Sequence, residues 1–75
     1  MKQPVSGEVY EHYKRGTRYT VICLALREAD LVPCVVYRAN DAEAQTWIRP
    51  VDDFCAVVTL EDGTEVPRFR LVEGE

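Results

Sequence analysis

The chain is short and mildly acidic: it has 75 residues, of which 47% are hydrophobic, and a formal net charge of −4 at pH 7. This length allows one domain with one small core, which excludes a catalytic cleft between two lobes. The negative charge disfavours non-specific binding to nucleic acid or anionic lipid, and the hydrophobic fraction argues against disorder.

Alternating apolar residues predict short strands along most of the chain. The predicted strands are Val9–Tyr13, Arg18–Arg27, Cys34–Arg38, Thr46–Arg49, Cys55–Leu60 and Arg68–Val72. The run Arg18–Arg27 carries the strongest signal, with the odd-numbered residues from Tyr19 to Ala25 expected to share one face. The good helix formers at 24–29 leave a helix as the alternative there.

Turn signals separate these strands. Lys14–Thr17 and Glu61–Thr64 predict tight turns, the second around an Asp-Gly hairpin pair, and Val51–Phe54 predicts a short helical turn. Five to six short strands favour a mainly β domain, a small barrel or sandwich, over residues 7–72. Residues 1–6 are expected to form a flexible N-terminal tail, and residues 73–75 a frayed C-terminus.

The three cysteines, Cys23, Cys34 and Cys55, lie inside apolar runs and lack the short spacing of a metal knuckle or redox pair. We expect three core thiols in a reducing cytosol and no metal or other cofactor. The first residues lack the apolar stretch of a signal peptide, and no run approaches the length of a membrane span. These observations predict a cytoplasmic location.

Several short motifs follow one another in a fixed order. They are Gly7–Gly16, Val35–Arg38, Trp47–Pro50 with Phe54 four residues later, and Gly63–Phe69. On these motifs, over roughly residues 7–70, the chain resembles the small bacterial proteins grouped as domain of unknown function 1653. The resemblance implies a compact barrel related in shape to SH3-like folds, and it implies no established activity. Relatives often carry His and Glu shortly after the position of Ala25, where this chain has Arg27 and Ala29.

The single histidine has two interpretations. His12 is either a base that pairs with Asp52 or Asp53, or a structural residue bonded to backbone or to a carboxylate. For the acid pair Asp52–Asp53 we expect capping of the short helical turn. The sequence contains no phosphate-binding glycine loop and no nucleophile motif, so no catalytic residue is assigned.

The arginines and aromatic residues also have two interpretations. Arg49, Arg68 and Arg70 either hold a phosphate or carboxylate or pair with Asp52, Asp53 or Glu65. Most aromatic side chains are expected in the core, whereas Tyr13 and Trp47, each beside a charged residue, are expected at the surface.

These features together favour a non-catalytic binding or adapter module for a protein or peptide. The candidate ligand-binding residues are Tyr10, His12, Tyr13, Lys14, Arg15, Trp47, Arg49 and Arg68. The alternatives are a nucleic-acid-binding small barrel, suggested by the basic loop with its interleaved tyrosines, and a small enzyme using His12 with an acid. The sequence leaves the oligomeric state open and predicts no membrane partner.

Overall fold

The structure of the protein, a computed structural model, describes residues 3–73. In that range it contains seven strands and one short helix. They are β1 (Val9–His12), β2 (Arg18–Leu26), β3 (Pro33–Ala39), β4 (Thr46–Pro50), α1 (Val51–Phe54), β5 (Val57–Thr59), β6 (Glu65–Pro67) and β7 (Phe69–Glu73). The mainly β class is therefore confirmed, and α1 has the residues predicted for the helical turn.

The strands form two antiparallel sheets. The larger has the order β4-β3-β2-β1-β7, and the smaller contains β5 and β6. The two sheets meet at Arg68, where the N–H donates to Ala56 O and the carbonyl accepts from Tyr13 N–H. The strand count exceeds the predicted five to six because the return strand of the Asp-Gly hairpin, β6, is a strand separate from β7. No closed barrel is formed by the described strands.

A β-bulge in β2 changes which residues face the core. Val21 pairs with Tyr37 and Cys23 pairs with Val36, so that Ile22 is an extra residue opposite β3. Beyond the bulge the alternation reverses, and Cys23 lies on the outer face and is exposed. The predicted shared face from Tyr19 to Ala25 and the predicted core position of Cys23 were therefore wrong.

The core lies on the inner face of the large sheet and is mainly aromatic. Phe54 of α1 stacks on Phe69 with ring centroids 4.1 Å apart and planes 4° apart. Tyr37 meets both rings edge-on. The other two thiols follow the prediction more closely, since Cys34 is buried and Cys55 packs partly buried against the core.

The segment before β1 packs against the domain. Pro4 is fully buried, Ser6 Oγ donates to Ile22 O at 2.8 Å, and Gly7 N–H donates to Val21 O. Within the tail predicted at residues 1–6, the described residues thus contact the large sheet. The described range leaves out residues 1–2 of that predicted tail and residues 74–75 of the predicted frayed end. The domain boundary at residue 7 stays a prediction.

Candidate functional site

An aromatic and cationic cavity opens on the inner face, where β1, β2, β3, β4 and β7 converge. We call it the aromatic cup; it is lined by His12, Arg15, Tyr19, Tyr37, Trp47, Arg49 and Phe69 and has a volume of about 100 Å³. The strand register produces this grouping, because Trp47 is paired with Tyr37 and His12 with Phe69, and paired residues share a face. Trp47 is 49% exposed and Tyr37 is buried, so the cup has an open rim over an aromatic floor.

His12 is held by the turn that follows β1. Its Nδ1 accepts the backbone N–H groups of Lys14 at 3.2 Å and of Arg15 at 3.4 Å. The ring stacks on Tyr13 and meets Phe69 edge-on. Since Nδ1 accepts, the proton of the neutral ring is on Nε2, and Nε2 makes no hydrogen bond with the described residues.

The surroundings of His12 favour its neutral form. Partial burial is the largest effect that lowers the pKa of His12. The positive charges of Arg15, Arg49, Arg68 and Lys14 lower it further. Four cations thus lie near one ring, which makes this end of the molecule locally positive despite the negative net charge. Such a field attracts an anionic ligand.

Arg49 is fixed by three neighbours. Its Nε donates to Tyr37 Oη at 3.3 Å, its Nη1 donates to Asp53 Oδ2 at 2.7 Å, and its guanidinium lies 5.7 Å from the centre of the Phe69 ring. The hydrogen bond that Arg49 donates to Tyr37 is the main cause that raises the pKa of Arg49, which therefore stays charged. The remaining nitrogen, Nη2, has no partner in the described part of the chain.

A second cavity adjoins the cup on the other side of His12. We call it the apolar groove; it has a volume of about 300 Å³ and is lined by Glu11, His12, Tyr13, Leu60, Val66, Pro67 and Arg70. Tyr13 is 38% exposed on its wall. Arg70 and Glu11 form an ion pair of 3.0 Å at its margin. His12 belongs to both cavities, so the two form one continuous surface.

The structure brings together most of the predicted binding residues. His12, Arg15, Trp47 and Arg49 line the cup, and Tyr13 lines the groove, with Tyr13 and Trp47 exposed as expected. The basic turn and the Trp47 region therefore share a face. Lys14 is exposed in the same turn.

Tyr10 and Arg68 lie outside both cavities. Tyr10 is buried and donates from Oη to Glu8 Oε1 at 3.0 Å. Burial is the main cause that raises the pKa of Tyr10, and Glu8 raises it further. Arg68 donates from Nε to the backbone oxygen of Asp53 at 3.2 Å and is thereby attached to α1. Neither residue lines the cup or the second cavity, so neither is positioned to contact a ligand there.

Sequence reasoning missed the residues that complete the two cavities. Tyr19, Tyr37 and Phe69 were expected in the core, and they form the floor of the cup as well. The groove residues Leu60 and Val66 flank the predicted hairpin turn. The available signal was the apolar residues on both sides of the Asp-Gly pair, and placing them beside His12 required the long-range pairing of β1 with β7.

The acid pair has a different role from the predicted one. No side chain caps α1, which begins after Pro50. Asp53 instead binds Arg49 and lies 3.8 Å from Arg68, as the ion-pair interpretation of these arginines proposed. Within residues 3–73, no carboxylate hydrogen-bonds to His12, so the acid–base pair that the enzyme alternative needs is not formed. No group of three or more metal-ligating side chains occurs in the same range.

The fold and the site define a small antiparallel β domain with an aromatic, cationic cavity on the inner face of its large sheet. The family model described as "Protein of unknown function (DUF1653)" matches residues 8–71, and the chain belongs to this family, as its motifs predicted. No curated protein and no solved structure matches it. Among the described residues, no helix is both long and apolar enough to cross a membrane.

Proposed function

We propose that the protein is a non-catalytic binding module that receives an extended peptide segment of another protein across the aromatic cup and the apolar groove. The observation that carries the proposal is the position of His12 in both cavities. A ligand that fills both must be elongated, because the cavities lie on opposite sides of one side chain. An extended peptide has this shape and presents side chains at regular intervals.

The composition of the surface supports a protein ligand. Trp47, Tyr13 and Arg49 belong to the residue types that contribute most binding free energy at protein interfaces. The Arg49 side chain is already ordered by Tyr37 and Asp53, and the Tyr13 ring is stacked on His12. A preordered side chain loses little conformational entropy on binding.

Nucleic acid is the second candidate, favoured by one specific observation. Arg15 and Trp47 line the same cup, and a cation beside an exposed aromatic ring suits a phosphate next to a stacked base. The net charge of −4 opposes it, since the phosphate backbone dominates such binding. The apolar wall of the groove has no role in this alternative, and we therefore rank peptide binding first.

The test is a chemical-shift screen by NMR on isotope-labelled protein against a mixed peptide pool and short single-stranded and duplex oligonucleotides. We expect the peptides to shift the signals of His12, Tyr13, Trp47 and Arg49 together, and the Trp47→Ala variant to lose these shifts. Leu26→Ala is the matched control, because Leu26 is 64% exposed at the far end of β2. Shifts produced only by oligonucleotides, and abolished by moderate salt, would replace peptide with nucleic acid. Silence toward both ligands would refute the binding module.

We also propose a partly open, SH3-like barrel in a cytoplasmic bacterial protein. The architectural support is Arg68, through which β6 continues into β7 and links the small sheet to β1. The support for the cytoplasm is the set of three free cysteines, of which Cys23 is exposed. An experimental structure in which β5 and β6 stand apart from the large sheet would contradict the barrel. Recovery of an intermolecular Cys23 disulfide from the native host would contradict the location.

A further inference from the structure

Three donor groups at the aromatic cup have no partner among residues 3–73. They are Nε2 of His12, Nη2 of Arg49 and the guanidinium of Arg15. The ring of His12 and the guanidinium of Arg49 are held in place, by backbone N–H groups and by Tyr37 with Asp53, respectively. A cavity lined by fixed donors and by no carboxylate suits an acceptor with several oxygens.

The volume of the cup limits the size of that acceptor. About 100 Å³ corresponds to roughly three water molecules in the liquid, whereas sites for drug-sized ligands start at about 300 Å³. A single carboxylate or phosphate group fits this space, and a nucleotide does not. The cup therefore receives one functional group of a longer ligand.

The charges that line the cup, those of Arg15 and Arg49, favour a monoanion. Arg49 and Arg68 share one carboxylate, Asp53, and the Arg49 contact of 2.7 Å offsets much of its charge. His12 is a neutral donor, and Arg15 is the cation that forms no ion pair with a described residue. The negative charge of Asp53 repels a dianionic phosphate more strongly than it repels a singly charged carboxylate.

We propose that the aromatic cup is a carboxylate-binding subsite, which takes an acidic side chain of the peptide while a neighbouring apolar side chain occupies the apolar groove. The inference rests on the proposed function and adds the chemistry of the ligand. Arg15 and Arg49 donate to the carboxylate, and His12 donates through Nε2–H. Trp47 at the rim shields these hydrogen bonds from water, which strengthens them.

Two kinds of probe test the subsite. The protein is titrated with acetate, inorganic phosphate and chloride at constant ionic strength, and then with acetyl-Leu-Glu-Leu-amide and its glutamine analogue. Trp47 is the only tryptophan, so its fluorescence reports directly on the cup, and the NMR signals of His12 give a second readout. We expect acetate to act at lower concentration than phosphate, chloride to have no effect, and the glutamate peptide to bind about tenfold more tightly than the glutamine analogue.

Arginine variants assign the response to the cup. Arg15→Gln is expected to weaken acetate and glutamate-peptide binding by about tenfold. Because Arg15 is exposed, we expect this substitution to leave the fold intact, so a loss of binding would come from the lost guanidinium. Arg38→Gln is the matched control, since Arg38 is exposed on the outer face of β3. Equal binding by Arg15→Gln would overturn the assignment.

The outcomes separate this inference from the proposed function. Phosphate binding as strong as acetate binding, or no response to either anion, overturns the carboxylate subsite even if the peptide pool shifts both cavities. Acetate binding at the cup in the absence of any peptide binding upholds the subsite and refutes the peptide module.

Discussion

The hydrogen bonds of His12 determine which of its two forms the folded protein stabilises. Nδ1 accepts two backbone N–H groups, and a proton on that atom would face two donors. Burial and the nearby cations act in the same direction and lower the pKa of His12 from its usual 6.5. The folded state therefore prefers the neutral ring more strongly than the unfolded chain does.

Stability is accordingly expected to fall as the solution becomes acidic. Because the pKa of His12 is lower in the folded state, the unfolded chain takes up the proton first as the pH falls through about 6.5. The free energy of unfolding contributed by His12 is thus present above that pH and is lost progressively below it. Urea unfolding between pH 7.5 and 5 measures this change.

His12→Asn provides the control for that experiment, since an asparagine oxygen can accept the same backbone N–H groups. The variant should lose some stability at pH 7.5, because the ring contacts with Tyr13 and Phe69 are removed, and should show a flatter profile down to pH 5. As His12 is the only histidine in the chain, an unchanged slope in His12→Asn would show that other groups cause the pH dependence.

At the level of elements, the hairpin between β5 and β6 depends on the backbone of one glycine. Gly63 has φ +88°, a conformation that side chains with a Cβ rarely adopt, and it donates its N–H to Leu60 O. A Cβ added there would meet nothing within 4 Å. The effect of a substitution therefore comes from backbone strain alone.

Gly63→Ala should destabilise the protein by about 1–2 kcal/mol, the cost of placing a Cβ in the left-handed region. Gly63→Asn should cost less than half of that, because asparagine tolerates positive φ better. Urea midpoints of the two variants and the parent give both values. Equal costs for alanine and asparagine would contradict an origin in the left-handed backbone conformation.

The elements also show what the sequence predicts and where local patterns fail. The strand positions, the helix α1 and the Asp-Gly turn follow from residues close together in the chain, and all were predicted within a few residues. The bulge at Ile22 depends on the pairing of β2 with β3, which no local pattern contains, and the position of Cys23 was wrong for that reason. The cup was predictable in its polar residues but not in its floor, since Phe69 reaches His12 only through the pairing of β7 with β1.

At the level of the whole molecule, the N-terminal segment contributes to the fold. Val5 N–H donates to Glu8 Oε1 at 2.8 Å, and Pro4 fills a fully buried position. A small domain buries a limited fraction of its surface, so one packed proline and a few hydrogen bonds are a substantial share of its stability.

A chain that begins at Gly7 should therefore be less stable than the parent by about 2 kcal/mol, from lost apolar burial and lost hydrogen bonds. Thermal and urea unfolding of both chains measure the difference. Ser6→Ala, which removes one exposed hydrogen bond, should change stability by about 0.5 kcal/mol or less. Equal stability of the parent and the shortened chain would show that residues 1–6 are a dispensable tail.

The peptide groups on either side of Arg68 have a consequence for how the molecule comes apart. One donates to Ala56 and the other accepts from Tyr13, so the hairpin and the large sheet share a single stretch of backbone. A displacement of Arg68 from one sheet therefore disturbs its hydrogen bond to the other. Amide hydrogen exchange should consequently find one cooperative unfolding unit across both sheets rather than two independent ones.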